Sequence, residues 1–240
     1  MARPTGLHID VDLEHARREG ERVRDLLAAL RRRHDLARFE YTTVVRIVPG
    51  GDTFAHPILT LGNRFTENED ILLSTYLHEQ MHWYLWHLGT PERDMVAPFF
   101  DELVRRYPDA PIALPDGARN YESTYLHLVV NWLEVAATSE LIGRPRAVAL
   151  AEAQYTYRWI YRTVVRDWDA LGELYERHGL VPIRGAADLA QENAKAGRRA
   201  ANGAARKLNG APRKRPAAAR QTAPPRSRRR PRAHGGRSAG

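Results

Sequence analysis

The chain has 240 residues, 43% of them hydrophobic, and it contains no cysteine. This length and composition suffice for a globular domain with a buried core. The absence of cysteine excludes disulfides and thiolate metal sites, so a transition metal would need His, Asp or Glu ligands. The N-terminal sequence lacks the apolar segment of a signal peptide, and no window reaches the roughly 18 continuous apolar residues of a membrane span. We therefore expect a cytoplasmic protein that does not enter a membrane.

The net charge of +8 is unevenly distributed along the chain. Residues 183–240 hold 16 Lys or Arg and two acids, a net charge of +14, whereas residues 1–182 hold 21 basic and 27 acidic residues, a net charge of −6. The C-terminal part has no aromatic residue and cannot bury enough apolar surface to offset the entropy lost on ordering. We expect a folded domain over residues 1–182 and a disordered basic tail over residues 183–240, with a transient helix near residues 186–208.

The first part of the folded domain combines a helical pattern with an extended one. Apolar residues recur among charges from Asp12 to Leu36, which predicts an amphipathic helix. The β-branched and aromatic segments RFEYTTVVRIVP, residues 38–49, and HPILTLGNRF, residues 56–65, predict two short strands separated by Pro-Gly-Gly. The domain therefore begins with a helix and two strands.

The remainder of the domain is predicted to be helical. Thr66 or Asn68 caps the start of a helix, and acidic residues fill its first turn. Gly89-Thr90-Pro91 ends this helix. Further helices are expected over residues 92–107, 120–142, 145–166 and 168–178.

The motif H-E-x-x-H occurs at His78, Glu79 and His82, inside the helix that follows the two strands. Helical geometry puts the two histidines one turn apart on one face, where both imidazoles can reach one metal ion. Glu79 then points towards a metal-bound water and can accept its proton. The flanking residues are apolar or aromatic, so an unpaired Glu and two His in this buried helix would be costly without a metal. The motif in this setting predicts a zinc site, although the bare pattern also arises by chance.

A catalytic zinc site usually has three protein ligands and one open position, so a third ligand is needed. Residues 120–143 form an apolar helix in which four polar residues share one face. His127 is the favoured third ligand, with Glu134 holding a ligand imidazole through its outer N–H. Glu134 as third ligand is the alternative, and a core without metal, in which His127 hydrogen-bonds Glu134, is another. The four polar residues are His127, Asn131, Glu134 and Thr138.

The segment YTYRWIYRTVVRDW, residues 155–168, carries an aromatic stripe and an arginine stripe at helical spacing. Such stripes are usually a buried face and a solvated face, respectively. Hydrolysis also needs a hydrogen-bond donor for the oxyanion that develops, and a tyrosine from a late helix can supply it. Tyr157 is our candidate for this catalytic role.

The segments LHEQMHWYL, YLHLVVNWLE and YRWIYRTV together resemble a group of uncharacterised bacterial proteins with H-E-x-x-H and a downstream H-x-x-x-x-x-x-E helix. More widely, a helix, strands and an H-E-x-x-H helix in this order are similar to the core of the zincin metallopeptidases. The likeness covers most of residues 40–180. It implies an α+β, mostly helical fold with a zincin-like core, a small antiparallel sheet and an H-E-x-x-H active-site helix. It also implies that His78 and His82 bind zinc and that Glu79 is the general base.

Two functions of different classes are compatible with these patterns. The first is a zinc-dependent metallopeptidase in which Glu79 activates a zinc-bound water and the strand in HPILTLG offers its edge to an extended peptide or protein substrate. The second is a non-catalytic helical binding module whose arginine-rich tail contacts nucleic acid or another polyanion weakly and without sequence preference. A peptidase held near DNA by the tail would combine the two.

Overall fold

The computed structural model describes residues 6–11, 17–62, 68–88 and 92–210. Helices dominate these ranges, which confirms the prediction of a mostly helical fold with a small sheet. None of the helices in the described ranges is long and apolar enough to cross a membrane. The helices are α1 (Arg17–Arg33), α2 (Glu69–His87), α3 (Glu92–Arg106), α4 (Tyr121–Ile142), α5 (Arg144–Glu152), α6 (Arg158–Arg166), α7 (Trp168–Arg177) and α8 (Ala186–Gly210), and a short 3-10 helix spans Leu36–Phe39.

The prediction of an antiparallel sheet is wrong, because the three strands are parallel. The strands are β1 (His8–Val11), β2 (Val44–Ile47) and β3 (Leu59–Leu61), in the order β1-β2-β3. A two-residue turn would force consecutive strands into an antiparallel hairpin, but residues 48–58 are long enough to return the chain to the starting end of β2. The sequence pattern also did not predict β1, which pairs with β2 from His8 opposite Val44 onwards.

The outer edge of β3 is already partly occupied. The backbone N–H of Thr60 donates to the carbonyl of Phe54 at 2.8 Å, and the N–H of Phe54 donates to the carbonyl of Thr60 at 3.1 Å. These two bonds use the groups of Thr60 that an extended peptide would need for pairing at this point. The expectation that β3 offers a free edge to a substrate is therefore wrong at Thr60.

Helix α2 is anchored at its start and in its middle. The Asn68 side chain caps it by accepting hydrogen bonds from the backbone N–H groups of Asp70 at 2.9 Å and Ile71 at 3.3 Å. Further along, the buried Gln80 amide exchanges two hydrogen bonds with the backbone of Thr42, at 3.0 and 2.9 Å. Since Thr42 lies just before β2, this pair fixes the rotation of α2 against the sheet and sets which face of α2 carries the motif.

Helix α4 packs along α2 and is buried on most of its faces. The Asn120 side chain caps it through a 2.7 Å bond from the N–H of Ser123. Gly143 ends it with a φ of 85°, a conformation that glycine adopts without steric cost. A helix that must pack on several neighbours needs apolar residues around its circumference, so the polar residues inside it require partners of their own.

The helix predicted over residues 145–166 is two helices in the structure, α5 and α6, separated by residues 153–157. The N–H of Arg158 donates at 2.9 Å to the carbonyl of Pro115, a residue of the loop before α4, rather than to a carbonyl one turn earlier. Tyr157 takes the left-handed conformation, with φ 58° and ψ 32°. A contact distant in sequence therefore interrupts a segment whose local pattern is helical throughout.

The described residues up to Arg199 form one compact unit, so the predicted boundary after residue 182 lies inside it. Ile183 and Leu189 are 7% and 2% exposed and belong to the buried core. Helix α8 covers the region where a transient helix was predicted. The rest of the predicted disordered tail, residues 211–240, lies outside the described residues, as does the polyanion contact expected of it.

A chain that ends at Pro182 is expected to be less stable than a chain that ends at Gly210. It lacks Ile183 and Leu189, and each fully buried aliphatic side chain contributes roughly 1.5–3 kcal/mol to folding. It also lacks the carbonyl of Arg184, which accepts a 2.6 Å hydrogen bond from the hydroxyl of Tyr41. Thermal unfolding followed by circular dichroism measures the difference. Equal midpoints for the two chains would show that residues 183–189 do not stabilise the core.

Candidate metal centre

Three histidines from two helices converge in the structure. His78 and His82 lie one turn apart on α2, and His127 comes from the facing α4. The ring centroids are 5.2 Å apart for His78 and His82, 5.4 Å for His78 and His127, and 5.2 Å for His82 and His127. Each ring has a nitrogen within 4.8 Å of a nitrogen of the other two. The three imidazoles therefore lie close enough together to bind one metal ion.

Hydrogen bonds to Nδ1 orient two of these rings. Nδ1 of His127 lies 2.7 Å from the backbone carbonyl of Ser123, which can only accept, so Nδ1 carries the proton. Nδ1 of His78 lies 3.0 Å from Oε2 of Glu134 and, when that carboxyl is ionised, also donates. In the neutral form of both rings this leaves Nε2 with a lone pair. Metal-binding histidines are commonly held in this manner, through a carbonyl or a carboxylate on the other nitrogen.

Glu134 lies behind His78 and not at the point where the three histidines converge. It is 2% exposed, and its carboxylate accepts hydrogen bonds from the Ser74 hydroxyl and, at 2.7 Å, from the Tyr161 hydroxyl. With the Nδ1 proton of His78, three donors compensate for the burial of this charge. This geometry favours Glu134 as the group that orients a histidine over Glu134 as a third ligand. The metal-free alternative requires a hydrogen bond between His127 and Glu134. In the structure, Glu134 pairs with His78 and His127 pairs with Ser123.

Burial keeps two of the histidines uncharged. It lowers the pKa of His127 to about 3, with a smaller effect from His78, and it lowers the pKa of His82 well below its usual value, with contributions from His127, His78 and His56. For His78, burial acts in the same direction, but the hydrogen bond to Glu134 outweighs it and the pKa is raised. A neutral imidazole is the form that binds a metal, so His82 and His127 need not lose a proton at neutral pH.

Glu79 is 6% exposed and lines a cleft of about 150 Å³ that also reaches His78. Burial raises the pKa of its carboxyl to about 7, an effect that His78 opposes and Glu134 reinforces. A carboxyl group with a pKa near the working pH can both accept and return a proton. The other residues that line the cleft include Thr53, Thr75, Gln154, Thr156, Tyr157 and Tyr161.

Tyr157 lies in the same cleft, as required for the role that the sequence analysis gave it. Its ring centroid is 4.5 Å from that of His127 and 6.2 Å from that of His78. It does not belong to a helical stripe, because it precedes α6 in the left-handed conformation. The other residues of the predicted aromatic stripe lie in α6 and are buried: Ile160, Tyr161 and Val164.

Sequence reasoning missed two residues of the site, Ser74 and Tyr161, which bind the two oxygens of Glu134. Ser74 stands four residues before His78, so helical spacing could have placed it on the same face. Tyr161 was assigned to a buried aromatic stripe, and nothing in its spacing indicates a carboxylate partner. Conversely, Asn131 and Thr138 share the polar face of α4, yet their buried side chains make no hydrogen bond within the described ranges.

The donor set is compatible with zinc. Three imidazole nitrogens without a thiolate suit zinc and neighbouring divalent metals, and three protein ligands leave a fourth position for water or substrate. Metal-binding histidines usually bond a carboxylate or a carbonyl through their second ring nitrogen. The Glu134 carboxylate does this for His78, and the Ser123 carbonyl does it for His127. Comparisons of the chain with family models, with curated proteins and with solved structures found no match, so function has to be argued from this geometry.

Proposed function

We propose that the protein is a zinc-dependent hydrolase that cleaves peptide bonds. The observation that carries this proposal is the convergence of His78, His82 and His127 beside a cleft that Glu79 also lines. The sheet is parallel, whereas the resemblance to zincins implies an antiparallel one, so the proposal rests on the site and not on the fold. A peptide or protein is the substrate class of metalloproteases with an H-E-x-x-H helix, in which the glutamate is the general base.

The three histidines would hold the zinc ion through nitrogen atoms, with Nε2 used by His78 and by His127. Glu134 fixes the ring of His78, and the carbonyl of Ser123 fixes the ring of His127. Bound zinc would supply a Lewis acid that polarises the scissile carbonyl and acidifies a water molecule.

Glu79 acts first as the general base and then as the general acid of the reaction. Its carboxylate accepts one proton from the attacking water as the oxygen of that water bonds to the carbonyl carbon of the peptide. It then returns this proton to the amide nitrogen as the carbon–nitrogen bond breaks, so the products are a carboxylic acid and an amine. The raised pKa of Glu79 suits both steps, because accepting and returning the proton then differ little in free energy.

Tyr157 would stabilise the negative charge that develops on the carbonyl oxygen. Burial and the nearby Glu79 raise the pKa of its hydroxyl, so this group stays protonated and can donate a hydrogen bond. Donors already in place cost little reorganisation during the reaction, and removing one of them typically slows acyl transfer by about 10²–10³-fold.

The proposal is tested by the hydrolysis of a fluorescently labelled, unfolded casein at neutral pH. We expect slow cleavage by the purified full-length chain, loss of cleavage after treatment with 1,10-phenanthroline, and recovery when one equivalent of zinc is added back. A protein that cleaves equally well in the presence and absence of the chelator would contradict a zinc mechanism. A folded, zinc-loaded protein that cleaves no peptide bond would contradict the peptidase.

Replacing Glu134 by Gln is expected to weaken zinc binding by about 10–100-fold, the usual effect of losing a carboxylate that holds a ligand imidazole. Competition with a chromophoric chelator measures the dissociation constant. Glu140→Gln is the matched control, since Glu140 lies on the same helix, is exposed and pairs with Arg38. If both variants bind zinc like the wild type, Glu134 does not support a metal site. If Glu134→Gln binds no zinc at all, Glu134 is itself a ligand.

A further inference from the structure

Two loops beside the cleft are joined to each other. One precedes α4 and includes residues 111–119, and the other is the break between α5 and α6, residues 153–157. Arg158 connects them, because its N–H donates to the carbonyl of Pro115 and its guanidinium pairs with the carboxylate of Asp116 at 3.1 and 3.2 Å. The first loop is also held to α4, where the N–H of Ala118 donates to the hydroxyl of Thr124 at 2.9 Å. The position of each loop therefore depends on the other.

Each loop contains a residue other than glycine with a positive φ, Arg119 at 72° and Tyr157 at 58°, and the described part of the chain has no others. This conformation is unfavourable for a residue with a Cβ atom, and it persists where the surroundings enforce it. Strained residues of this kind concentrate at active sites and ligand-binding sites. Tyr157 fits this pattern, since its ring lies 4.5 Å from that of His127, and Arg119 calls for a similar explanation.

The guanidinium of Arg119 is exposed and makes no hydrogen bond or ion pair within the ranges that the structure describes. Burial and Glu79 raise the pKa of Tyr157, and the positive charge of Arg119 opposes that rise, so this charge is close enough to act on the Tyr157 hydroxyl. Among the described residues that line the cleft, histidine is the only type that can be cationic. Arg119 is therefore a permanent positive charge next to a cleft whose described lining residues supply none, and the neighbouring Arg158 is already paired with Asp116.

We propose that Arg119 binds a carboxylate of the peptide substrate and makes the site prefer peptides with a negative charge at a fixed number of residues from the cleaved bond. Arginine matches the planar geometry of a carboxylate with two parallel hydrogen bonds, and an exposed arginine without an ion-pair partner is available for it. The carboxylate belongs either to an Asp or Glu side chain or to the C-terminus of the peptide. This proposal rests on the proposed function, because the histidines define where the peptide is cut.

The test measures peptide binding rather than cleavage, with zinc-loaded full-length protein that carries Glu79→Gln to prevent turnover. The probes are N-acetylated alanine hexapeptides with one Glu at each position in turn, their Gln counterparts, and the all-alanine peptide with a free or an amidated C-terminus. We expect at least one carboxylate peptide to bind about 10-fold or more tightly than its uncharged counterpart. A preference for Glu peptides identifies a side-chain carboxylate, and a preference for the free C-terminus identifies the terminal one.

Arg119→Gly should abolish this preference without loss of stability, because glycine adopts a φ of 72° without strain and the unfolding midpoint should stay at or above the original value. Arg119→Lys keeps the charge and should retain part of the preference. Arg162→Ala is the matched control, since Arg162 is an exposed arginine of α6, and it should retain all of it. Absence of a preference with Arg119 present, or an equal preference in Arg119→Gly, overturns the proposal.

The outcome is independent of whether peptide bonds are cleaved. A carboxylate preference that depends on Arg119, in a protein without hydrolytic activity, would contradict the peptidase and leave a peptide-binding site. Zinc-dependent cleavage without any carboxylate preference would contradict the role of Arg119 alone.

Discussion

Replacing both His78 and His82 by alanine is expected to reduce the zinc content of the purified protein from about one ion per chain to about zero. The two side chains supply two of three converging imidazoles, and the single imidazole that is left, His127, cannot hold zinc through dialysis. Elemental analysis after dialysis against metal-free buffer measures the content directly. Circular dichroism of the same samples checks that both chains are folded.

The matched control for this double variant is His87→Ala. His87 lies on the same helix, nine residues after His78, and its ring contacts Trp83 at a centroid distance of 6.0 Å. It therefore faces away from the converging rings, and its removal should leave the zinc content unchanged. A folded wild-type protein that contains no zinc, cobalt or other divalent ion would contradict the proposed hydrolase. A double variant that keeps its full zinc content would place the metal elsewhere.

Those parts of the site that depend on spacing along one helix could be predicted from the sequence. The H-E-x-x-H pattern places His78 and His82 on one face because the period of the α-helix is fixed, and the structure shows this arrangement. Asn68 is one of two predicted caps, with Thr66, because a short polar side chain can accept from the free N–H groups of a first turn, and the structure shows Asn68 in this role. His127 could be selected because a polar face on a buried helix needs partners.

Those parts that depend on contacts between distant segments could not be predicted. Glu134 pairs with His78 and not with His127. Which of the two histidines it reaches depends on the rotation of α4 against α2, and the period of a single helix gives no information about that rotation. Strand β1 is defined by its pairing with β2, which lies beyond α1 in the sequence, and the parallel pairing of β2 with β3 follows from the path of residues 48–58; no local pattern encodes either. The break before α6 results from the bond between Arg158 and Pro115, and the same bond brings Arg119 and Tyr157 to neighbouring loops.

The break before α6 is also where two tyrosines of the cleft lie. Tyr161 donates to Glu134 from α6, which begins after residue 157, and Tyr157 contacts the ring of His127 from a left-handed conformation. In a continuous helix over residues 145–166, the two tyrosines would follow one another along a single face, four residues apart. The interruption thus separates one tyrosine that binds Glu134, the partner of His78, from another whose ring contacts His127.

Glu79→Gln is expected to lower kcat for peptide hydrolysis by roughly 10²–10⁴-fold, the contribution that general acid–base groups typically make. Glutamine has the shape of glutamate but cannot accept a proton at neutral pH. The loss should therefore fall on kcat with little change in KM. The zinc content should stay at about one ion per chain, because Glu79 is not among the three converging ligands. Steady-state kinetics on a cleaved casein peptide, together with elemental analysis, measure both quantities.

The stability of the same variant separates a catalytic carboxylate from a structural one. Burial raises the pKa of Glu79 to about 7, so keeping this group ionised costs folding free energy at neutral and higher pH, and an uncharged amide removes that cost. We expect the metal-free variant to unfold at or above the temperature of the metal-free wild type. Glu69→Gln, at an exposed ion pair with Arg33 in the first turn of α2, is the control that should leave kcat unchanged. If Glu79→Gln loses zinc as completely as the double histidine variant, Glu79 is a ligand, and if it keeps full activity, the proton acceptor is another group.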